Sequence, residues 1–326
     1  MMQKEIGGYF GLELNSKFNN IGKAIALNSA RNSLRYIIKA YDIKEIFIPY
    51  YTCPVVYQAL EKEKCKISCY HIDNDFMPIC KFKKEDFIFY TNYFGICAKN
   101  VKVLARKYKN LIIDNAQAFY MPKTGIATFN SIRKFFGVPD GALLYCDKNL
   151  KKQLKQSVSY NKFSHLVKRL DISASYGYTD FRKNSEHLAK EPIKYMSNLT
   201  TELFNSIDIQ QARKKRLKNF IFLHSKLSKT NKLNINLTKE DVPMIYPYLI
   251  KNGNKLREQL IKQKIYVAQY WNDLKNNTTQ YNTIQYALLN TDEKKFIENL
   301  IAIPIDQRYS IKDMKKIMEV IHENNN

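Results

Sequence analysis

The sequence predicts an α/β protein in which a mostly parallel sheet is covered by helices. From Ile21 to about Tyr145, short apolar segments typical of buried strands alternate with segments whose apolar residues recur every three or four positions. Such alternation is typical of a parallel central sheet flanked by helices. The chain has 326 residues, 45% of them hydrophobic, which is enough for one large domain and a smaller one. We therefore predict a large domain over residues 1–200 and a smaller C-terminal α/β domain over residues 201–326.

The elements of the large domain follow from capping residues, prolines and apolar spacing. Asn28-Ser29 precedes a segment with apolar residues at helical spacing and supplies an N-cap. Pro49 ends a strand, and Pro54 opens a helix. In chain order we predict a helix over 30–41, a strand over 45–49, a helix over 54–62, strands over 67–72 and 86–90, a helix over 101–108 and a strand over 111–113.

The second half of the chain has a different pattern. Residues 151–219 are strongly basic and show little strand character. We predict one long helix from Thr200 to about Ser228, with Arg213-Lys214-Lys215-Arg216 on a solvated face. Strands over 244–250 and 300–304 and helices over 255–264 and 310–322 complete the smaller domain, and residues 324–326 should fray.

The formal net charge of +23 attracts phosphates on nucleic acid, lipid or small metabolites. The excess of Lys, Asn, Ile and Tyr is equally what an A+T-biased genome encodes, so both explanations stay open. The basic run lacks interleaved aromatic residues, so nucleic acid is not expected as a partner. The aromatic content of 13% excludes wholesale disorder.

No run of 18 apolar residues is present, and the N-terminus lacks an apolar secretion segment. We expect a cytoplasmic protein that does not enter membranes. The cysteines are irregularly spaced, without a CxxC pair, and should be reduced thiols; no metal site is expected. Four scattered histidines are predicted to serve packing or surface roles: His71, His165, His187 and His224.

A carboxylate and a lysine form the strongest candidate site. Asp114 follows a buried strand at the end where open α/β sheets bind ligands, and Lys134 lies twenty residues later. Such a carboxylate can hold a protonated heteroaromatic nitrogen, and a desolvated lysine amine can form a Schiff base. Alternatively, Asp114 caps a turn and Lys134 is a surface residue.

The order of these motifs resembles the DegT/DnrJ/StrS family of pyridoxal-phosphate (PLP) aminotransferases of fold type I. Residues 28–34, N-S-A-R-N-S-L, fall where the family has N-S-G-T-x-A-L, and residues 49–53, P-Y-Y-T-C, where it has P-x-x-T-aromatic. Residues 114–118, D-N-A-Q-A, match D-x-A-Q-A. Ser131, Lys134 and the following glycines fall on the family's serine, lysine and Gly-rich exit.

The resemblance implies pyridoxal 5′-phosphate as the cofactor and a set of residues that bind it. Lys134 would hold the cofactor and transfer a proton, and Asp114 would pair with the pyridinium nitrogen. Gln117 would lie against the ring oxygen O3′, and Ser131 and the start of the first helix would bind the phosphate. The complete implied set is Ala30, Arg31, Cys53, Asp114, Gln117, Ser131 and Lys134.

Several of these positions differ from the family motif. Ala30 and Arg31 replace Gly and Thr, and Cys53 replaces the aromatic residue that stacks on the pyridine ring. Ser131 precedes Lys134 by three residues instead of five, which predicts a shorter turn. The family's asparagine that reaches the partner subunit's phosphate has no clear match in residues 192–197, and Asn198 is a weak candidate for it.

The resemblance further implies a homodimer that transfers an amino group from glutamate to a keto-sugar, nucleotide-linked, for surface polysaccharide. Lys134 favours transamination, since dehydrating relatives carry histidine there. Three alternatives stay open: an acceptor that is a small phosphorylated ketone, a decarboxylase, and a catalytically reduced relative that binds PLP or a sugar nucleotide without turnover.

Overall fold

The structure, a computed structural model, describes residues 8–272 and 286–323; the predicted fraying of residues 324–326 concerns residues outside these ranges. A seven-stranded sheet has the order β1-β7-β6-β5-β4-β2-β3. Strands β6, β5, β4, β2 and β3 are parallel neighbours, whereas β7 is antiparallel to β6 and β1. This confirms the α/β class and the mostly parallel sheet. The strands are β1 (Ile25–Leu27), β2 (Glu45–Pro49), β3 (Lys66–Tyr70), β4 (Ile88–Thr91), β5 (Leu111–Asn115), β6 (Ala127–Asn130) and β7 (Ala142–Cys146).

Helices cover both faces of the sheet. Apolar residues of α1 (Ala30–Tyr41) and α2 (Pro54–Lys62) form one buried cluster with the sheet. A second, larger cluster includes residues of α3 (Ala98–Lys107) on the other face and continues into the C-terminal part of the chain. The predicted first helix has the predicted bounds, and Ser29 caps it by accepting a hydrogen bond from the Asn32 amide at 3.2 Å.

The single long helix predicted from 200 to about 228 is wrong: the structure has α6 (Asn198–Asn205) and α7 (Ile209–Leu227). The chain leaves the helical path after Ser206, and the carboxylate of Asp208 accepts from the Gln211 amide at 2.8 Å to start α7. A side chain that caps a new helix start competes with continuation of the old helix, which explains the break.

The basic region before α6 contains a helical hairpin that the sequence analysis did not predict. It consists of α4 (Ser164–Asp171) and α5 (Ala174–Lys190), which pack against each other. A Cβ atom at Gly177 would lie 2.8 Å from the carbonyl oxygen of His165. The two helices therefore approach so closely that only glycine fits at this position.

Among the residues that the structure describes, the C-terminal part combines a two-stranded antiparallel sheet with helices. Strand β8 (Ile245–Leu249) pairs with β9 (Leu300–Pro304) along their full lengths. These elements lie within one or two residues of the predicted ones. Trp271 is buried against Tyr51, with ring centroids 4.3 Å apart. The helices are α8 (Gly253–Lys262), α9 (Thr291–Asn299) and α10 (Ile311–Glu323).

All six cysteines are free thiols, as expected. Residues 8–272 and 286–323 contain no group of three His, Cys, Asp or Glu side chains that could hold a metal ion. Every helix within those same ranges is too short or too polar to cross a lipid bilayer.

Candidate active site

Asp114 lies at the carboxyl end of β5, between Thr91 of β4 and Phe129 of β6. Its Oδ1 accepts a hydrogen bond from the Ala116 amide at 2.7 Å. Burial raises the pKa of this carboxyl, and the nearby positive charge of Lys134 opposes that rise. The carboxylate and the lysine are therefore within electrostatic reach of each other at one edge of the sheet.

Lys134 ends a short 3-10 turn, Ile132–Lys134, that follows β6 directly. The Lys134 amide donates to the carbonyl oxygen of Ser131 at 3.3 Å, which closes the short turn that the three-residue spacing predicts. Ser131 itself is buried, whereas the side chain of Lys134 is exposed. The turn thus presents the amine to solvent, whereas the sequence predicts a desolvated amine for a Schiff-base lysine. The cause is that this lysine ends a short turn instead of lying within the core.

Cys53, the N-cap residue of α2, lies within electrostatic reach of this pair. Burial raises the pKa of its thiol, while the charges of Lys134 and Arg31 lower it and that of Asp114 raises it. These couplings bring together four of the seven residues that the resemblance implies. Ala30 stands next to Arg31 as the first residue of α1.

Two arginines, Arg31 and Arg133, lie close together beside this cluster. Burial lowers the pKa of Arg133 to about 10; the charge of Asp140 opposes this, and that of Arg31 adds to it. The Nε atoms of both guanidinium groups are buried without a hydrogen-bond partner among the described residues. Arg133 also donates from Nη2 to the Ser185 hydroxyl at 3.3 Å, so the two Nε–H groups are the buried donors left for an anion.

Gln117 is buried, and its Oε1 accepts a hydrogen bond from the Phe94 amide at 2.8 Å. This bond holds the turn Tyr93–Gly95, in which Phe94 has a φ of 55°. The structure therefore shows Gln117 fixing a neighbouring loop. Asn198 is exposed at the first position of α6.

A cavity of about 440 Å³ opens beside Lys134. The hairpin contributes His165, Tyr178 and Phe181 to its wall, and the segment after β9 contributes Arg308. The only carboxylate of the lining, Asp306, is held by two hydrogen bonds from Arg308 at 2.7 and 2.8 Å. Four arginines line the cavity: Arg133, Arg169, Arg216 and Arg308.

Arg216 corrects the prediction of a solvated basic face on α7. Its side chain is 1% exposed, and its guanidinium donates to the carbonyl oxygens of Met244 at 3.0 Å and Phe135 at 3.3 Å. It also lies 4.5 Å from the ring centre of Phe135. Lys214 and Lys215 are exposed as predicted, so the four-residue run crosses from solvent into the core.

His165, predicted to serve packing or the surface, is buried with its ring centre 5.7 Å from that of Phe181, and it also lines the cavity. Burial lowers its pKa, and the charge of Arg133 lowers it further. Arg133 precedes Lys134 in the chain, so its nearness to the site could have been inferred from the sequence. Arg308 and His165 carry no local signal, because distant segments bring them here.

No protein-family model and no curated protein sequence matches this chain. Solved structures match it over most of its length at low identity. A DegT/DnrJ/EryC1/StrS aminotransferase from Brucella abortus superposes with a TM-score of 0.63 at 13% identity, covering 93% of this chain and 86% of that one. NtdA from Bacillus subtilis, with bound PMP, gives 0.65 at 13% identity over 92% and 72%. DesI, solved with its TDP-sugar product, gives 0.65 at 14% identity over 91% and 79%. The chain therefore has the fold of the DegT/DnrJ/EryC1/StrS sugar aminotransferases, which is the fold type I architecture that the sequence motifs predict.

Proposed function

We propose that the protein is a PLP-dependent aminotransferase that moves an amino group from glutamate to a nucleotide-linked keto-sugar. The observation that carries this proposal is the approach of Lys134 to Asp114 at the carboxyl edge of the sheet. That pair lies in a fold shared with sugar aminotransferases.

The residues present fit the cofactor. Asp114 supplies a buried carboxylate for a protonated ring nitrogen, and Lys134 supplies an exposed amine. The buried, unpartnered Nε atoms of Arg31 and Arg133 supply donors for the phosphate dianion. Cys53 lies among these groups and can contact the ring, although it offers less area than an aromatic side chain.

When bound, PLP supplies an electron sink for charge that develops on the substrate carbon. Asp114 would keep the proton on the ring nitrogen, because its negative charge favours the cation in a buried site. The Nζ of Lys134 would bind the cofactor and then carry a proton to and from the substrate carbon. His165 and Phe181 would exclude water from one side of that amine.

The first experiment is the visible absorbance of the purified protein with PLP, before and after glutamate. We expect a band of covalently bound cofactor that disappears with glutamate and is absent in Lys134→Ala. Lys183→Ala is the matched control, because Lys183 is exposed on α5. A Lys134-dependent band that no amino donor discharges would identify the catalytically reduced relative. Carbon dioxide release with the amino acid would identify the decarboxylase, and absence of any band would refute the proposal.

We also propose that the protein forms a homodimer in the cytoplasm and serves surface polysaccharide synthesis, as the resemblance implies. The support for a dimer is an apolar surface on the hairpin: Leu170 is 86% exposed, Ile172 59% and Tyr176 58%. Isolated exposed apolar side chains are common, but a cluster of them is typical of an interface. Sedimentation velocity of wild type and Leu170→Asp would test this, with a dimer expected for wild type and monomers for the variant.

A further inference from the structure

The helical hairpin of α4 and α5 has few buried residues for its length. Of residues 164–190, all within the described part of the chain, four are buried: His165, Gly177, Asn184 and Leu188. Regions with few buried contacts open at a lower cost in free energy than the rest of a fold. The position of the hairpin therefore depends on a small number of contacts with the sheet domain.

Polar contacts join the second half of α5 to the segment that follows β6. The side-chain amide of Asn184 donates to the carbonyl oxygen of Pro139 at 2.7 Å, and Nη2 of Arg133 donates to the Ser185 hydroxyl at 3.3 Å. The guanidinium carbon of Arg133 also lies 5.6 Å from the ring centre of Phe181. Arg133 thus contacts two side chains that lie one turn apart on α5.

The Ser185 hydroxyl is arranged to accept a hydrogen bond from a cation. It donates its own proton to the carbonyl oxygen of Phe181 at 3.1 Å, so its lone pairs remain for the guanidinium group. Asp140 is an acidic residue whose charge acts on Arg133, but its carboxylate accepts a hydrogen bond from the Ser197 hydroxyl at 2.9 Å. Among the described residues the hairpin therefore supplies the hydrogen-bond acceptor that orients Arg133.

Arg133 can hold the hairpin and an anion at the same time. Its Nη2 contacts α5, whereas its Nε is buried without a hydrogen-bond partner among the described residues. Arg31, whose charge acts on Arg133, likewise has a buried, unpartnered Nε. Because the guanidinium group is planar and rigid, an anion bound at Nε would also fix the direction of Nη2.

We propose that Ser185 is a positioning residue that acts through Arg133 on the cofactor phosphate, and that the bound phosphate in turn fixes the hairpin. This inference rests on the proposed function, which places the phosphate of PLP at Arg31 and Arg133. The coupling is reciprocal, because a contact that favours phosphate binding is itself favoured by the phosphate to the same degree. Binding of the cofactor therefore orders the cavity wall that carries His165 and Phe181.

The test combines amide hydrogen exchange with cofactor titration on the full-length protein. We expect PLP to slow amide exchange in residues 181–188, and pyridoxal, which lacks the phosphate, to leave that exchange unchanged. Ser185→Ala should raise the Kd of PLP about threefold to tenfold, since one hydrogen bond that orients Arg133 is lost. The same variant should lose most of the slowing by PLP and keep the wild-type Kd of pyridoxal.

Two further variants of α5 separate positioning from a general effect on the hairpin. Ser185→Thr keeps the hydroxyl and should retain the wild-type Kd of PLP and the slowing of exchange. Thr179→Ala removes an exposed hydroxyl from the same helix and should change neither.

Exchange in residues 181–188 that PLP does not slow overturns the inference, as does an equal rise in the Kd of PLP and of pyridoxal in Ser185→Ala. The absorbance band and its discharge by glutamate are measured on the same preparations. A protein that shows both, but whose hairpin exchanges equally fast with and without PLP, retains the proposed function and loses only this coupling.

Discussion

Replacing Arg133 by glutamine should weaken binding of PLP by removing one of two buried Nε–H donors that have no hydrogen-bond partner among the described residues. The structure gives a magnitude. Burial lowers the pKa of Arg133 from 12.5 to about 10; the charge of Asp140 opposes this change and that of Arg31 adds to it. At 1.36 kcal/mol for each pKa unit, the folded protein carries a cost of about 3 kcal/mol for this charge. A bound phosphate dianion recovers that cost, so we expect a loss of about 2 to 3 kcal/mol, or roughly 30-fold to 150-fold in Kd.

The assay compares two ligands that differ only in the phosphate. The Kd of PLP and that of pyridoxal, which lacks the phosphate, are measured by absorbance titration of wild type and Arg133→Gln. Only PLP should bind more weakly to the variant, because pyridoxal makes no contact with the anion site. Arg182→Gln is the control, because Arg182 is an exposed arginine on α5. The same helix carries Ser185, which accepts a hydrogen bond from Arg133 at 3.3 Å.

The same substitution should not destabilise the protein without cofactor. Removing a buried charge that lacks an acidic partner relieves a desolvation cost, so the free energy of unfolding in urea should stay equal or rise. An equal loss of affinity for PLP and pyridoxal would refute the placement of Arg133 at the phosphate. Loss of stability in the protein without cofactor would show instead that Arg133 supports the fold.

Three further predictions concern stability. Burial raises the pKa of Glu191, but hydrogen bonds from Lys194, His187 and Lys162 bring it to about 2. The ionised carboxylate therefore stabilises the fold above pH 4.5, and this contribution is lost as the pH falls towards 2. In a series of urea unfolding experiments at different pH, Glu191→Gln should show a smaller loss of stability at acid pH. Arg216→Met should lower the free energy of unfolding in urea by about 2 kcal/mol, because the carbonyl oxygen of Met244 loses its donor. The carbonyl oxygen of Phe135 keeps a hydrogen bond from Gln307 at 2.7 Å. Gly253→Ala should cost about 1 to 3 kcal/mol in the same assay, since a Cβ there would lie 2.0 Å from the carbonyl oxygen of Asn299. Gly137→Ala, whose Cβ would lie 3.6 Å from its nearest neighbour, is the control.

Local signals in the sequence predicted the strands β2 to β5 and the helices α1 to α3, but not the strands β1, β6 and β7. Ser29 and the apolar spacing after it define α1 by contacts within one helix, and Pro49 and Pro54 mark the end of β2 and the start of α2. The motif around Asp114 likewise depends on its position at a strand end. Such features depend mainly on residues that are close in the chain, so a single sequence is enough to predict them.

Features that depend on distant contacts were missed or wrong. Arg216 stands in a run of four basic residues, yet carbonyl oxygens of two other segments bury it. The hairpin was read as a basic stretch, because its apolar side chains lie partly on an exposed surface and give no clear core pattern. Arg308 reaches the cavity only because β9 pairs with β8. Burial of a charge is decided by tertiary neighbours that local patterns do not contain.

Arginine and lysine are distributed differently between the cavity beside Lys134 and the rest of the chain. The chain has 43 lysines and 10 arginines, and an A+T-rich coding sequence favours lysine. Four of the ten arginines line the cavity beside Lys134, against one of the 43 lysines, which is Lys134 itself. Two of the four, Arg216 and Arg308, already donate to protein oxygens. Drift in composition would place lysine there as readily as elsewhere on the surface. The guanidinium group, by contrast, is the cation suited to planar, bidentate binding of phosphate in a partly buried site. If the proposed function holds, the arginines of the described cavity walls, and not the net charge of +23, are the cations that would meet a phosphorylated acceptor.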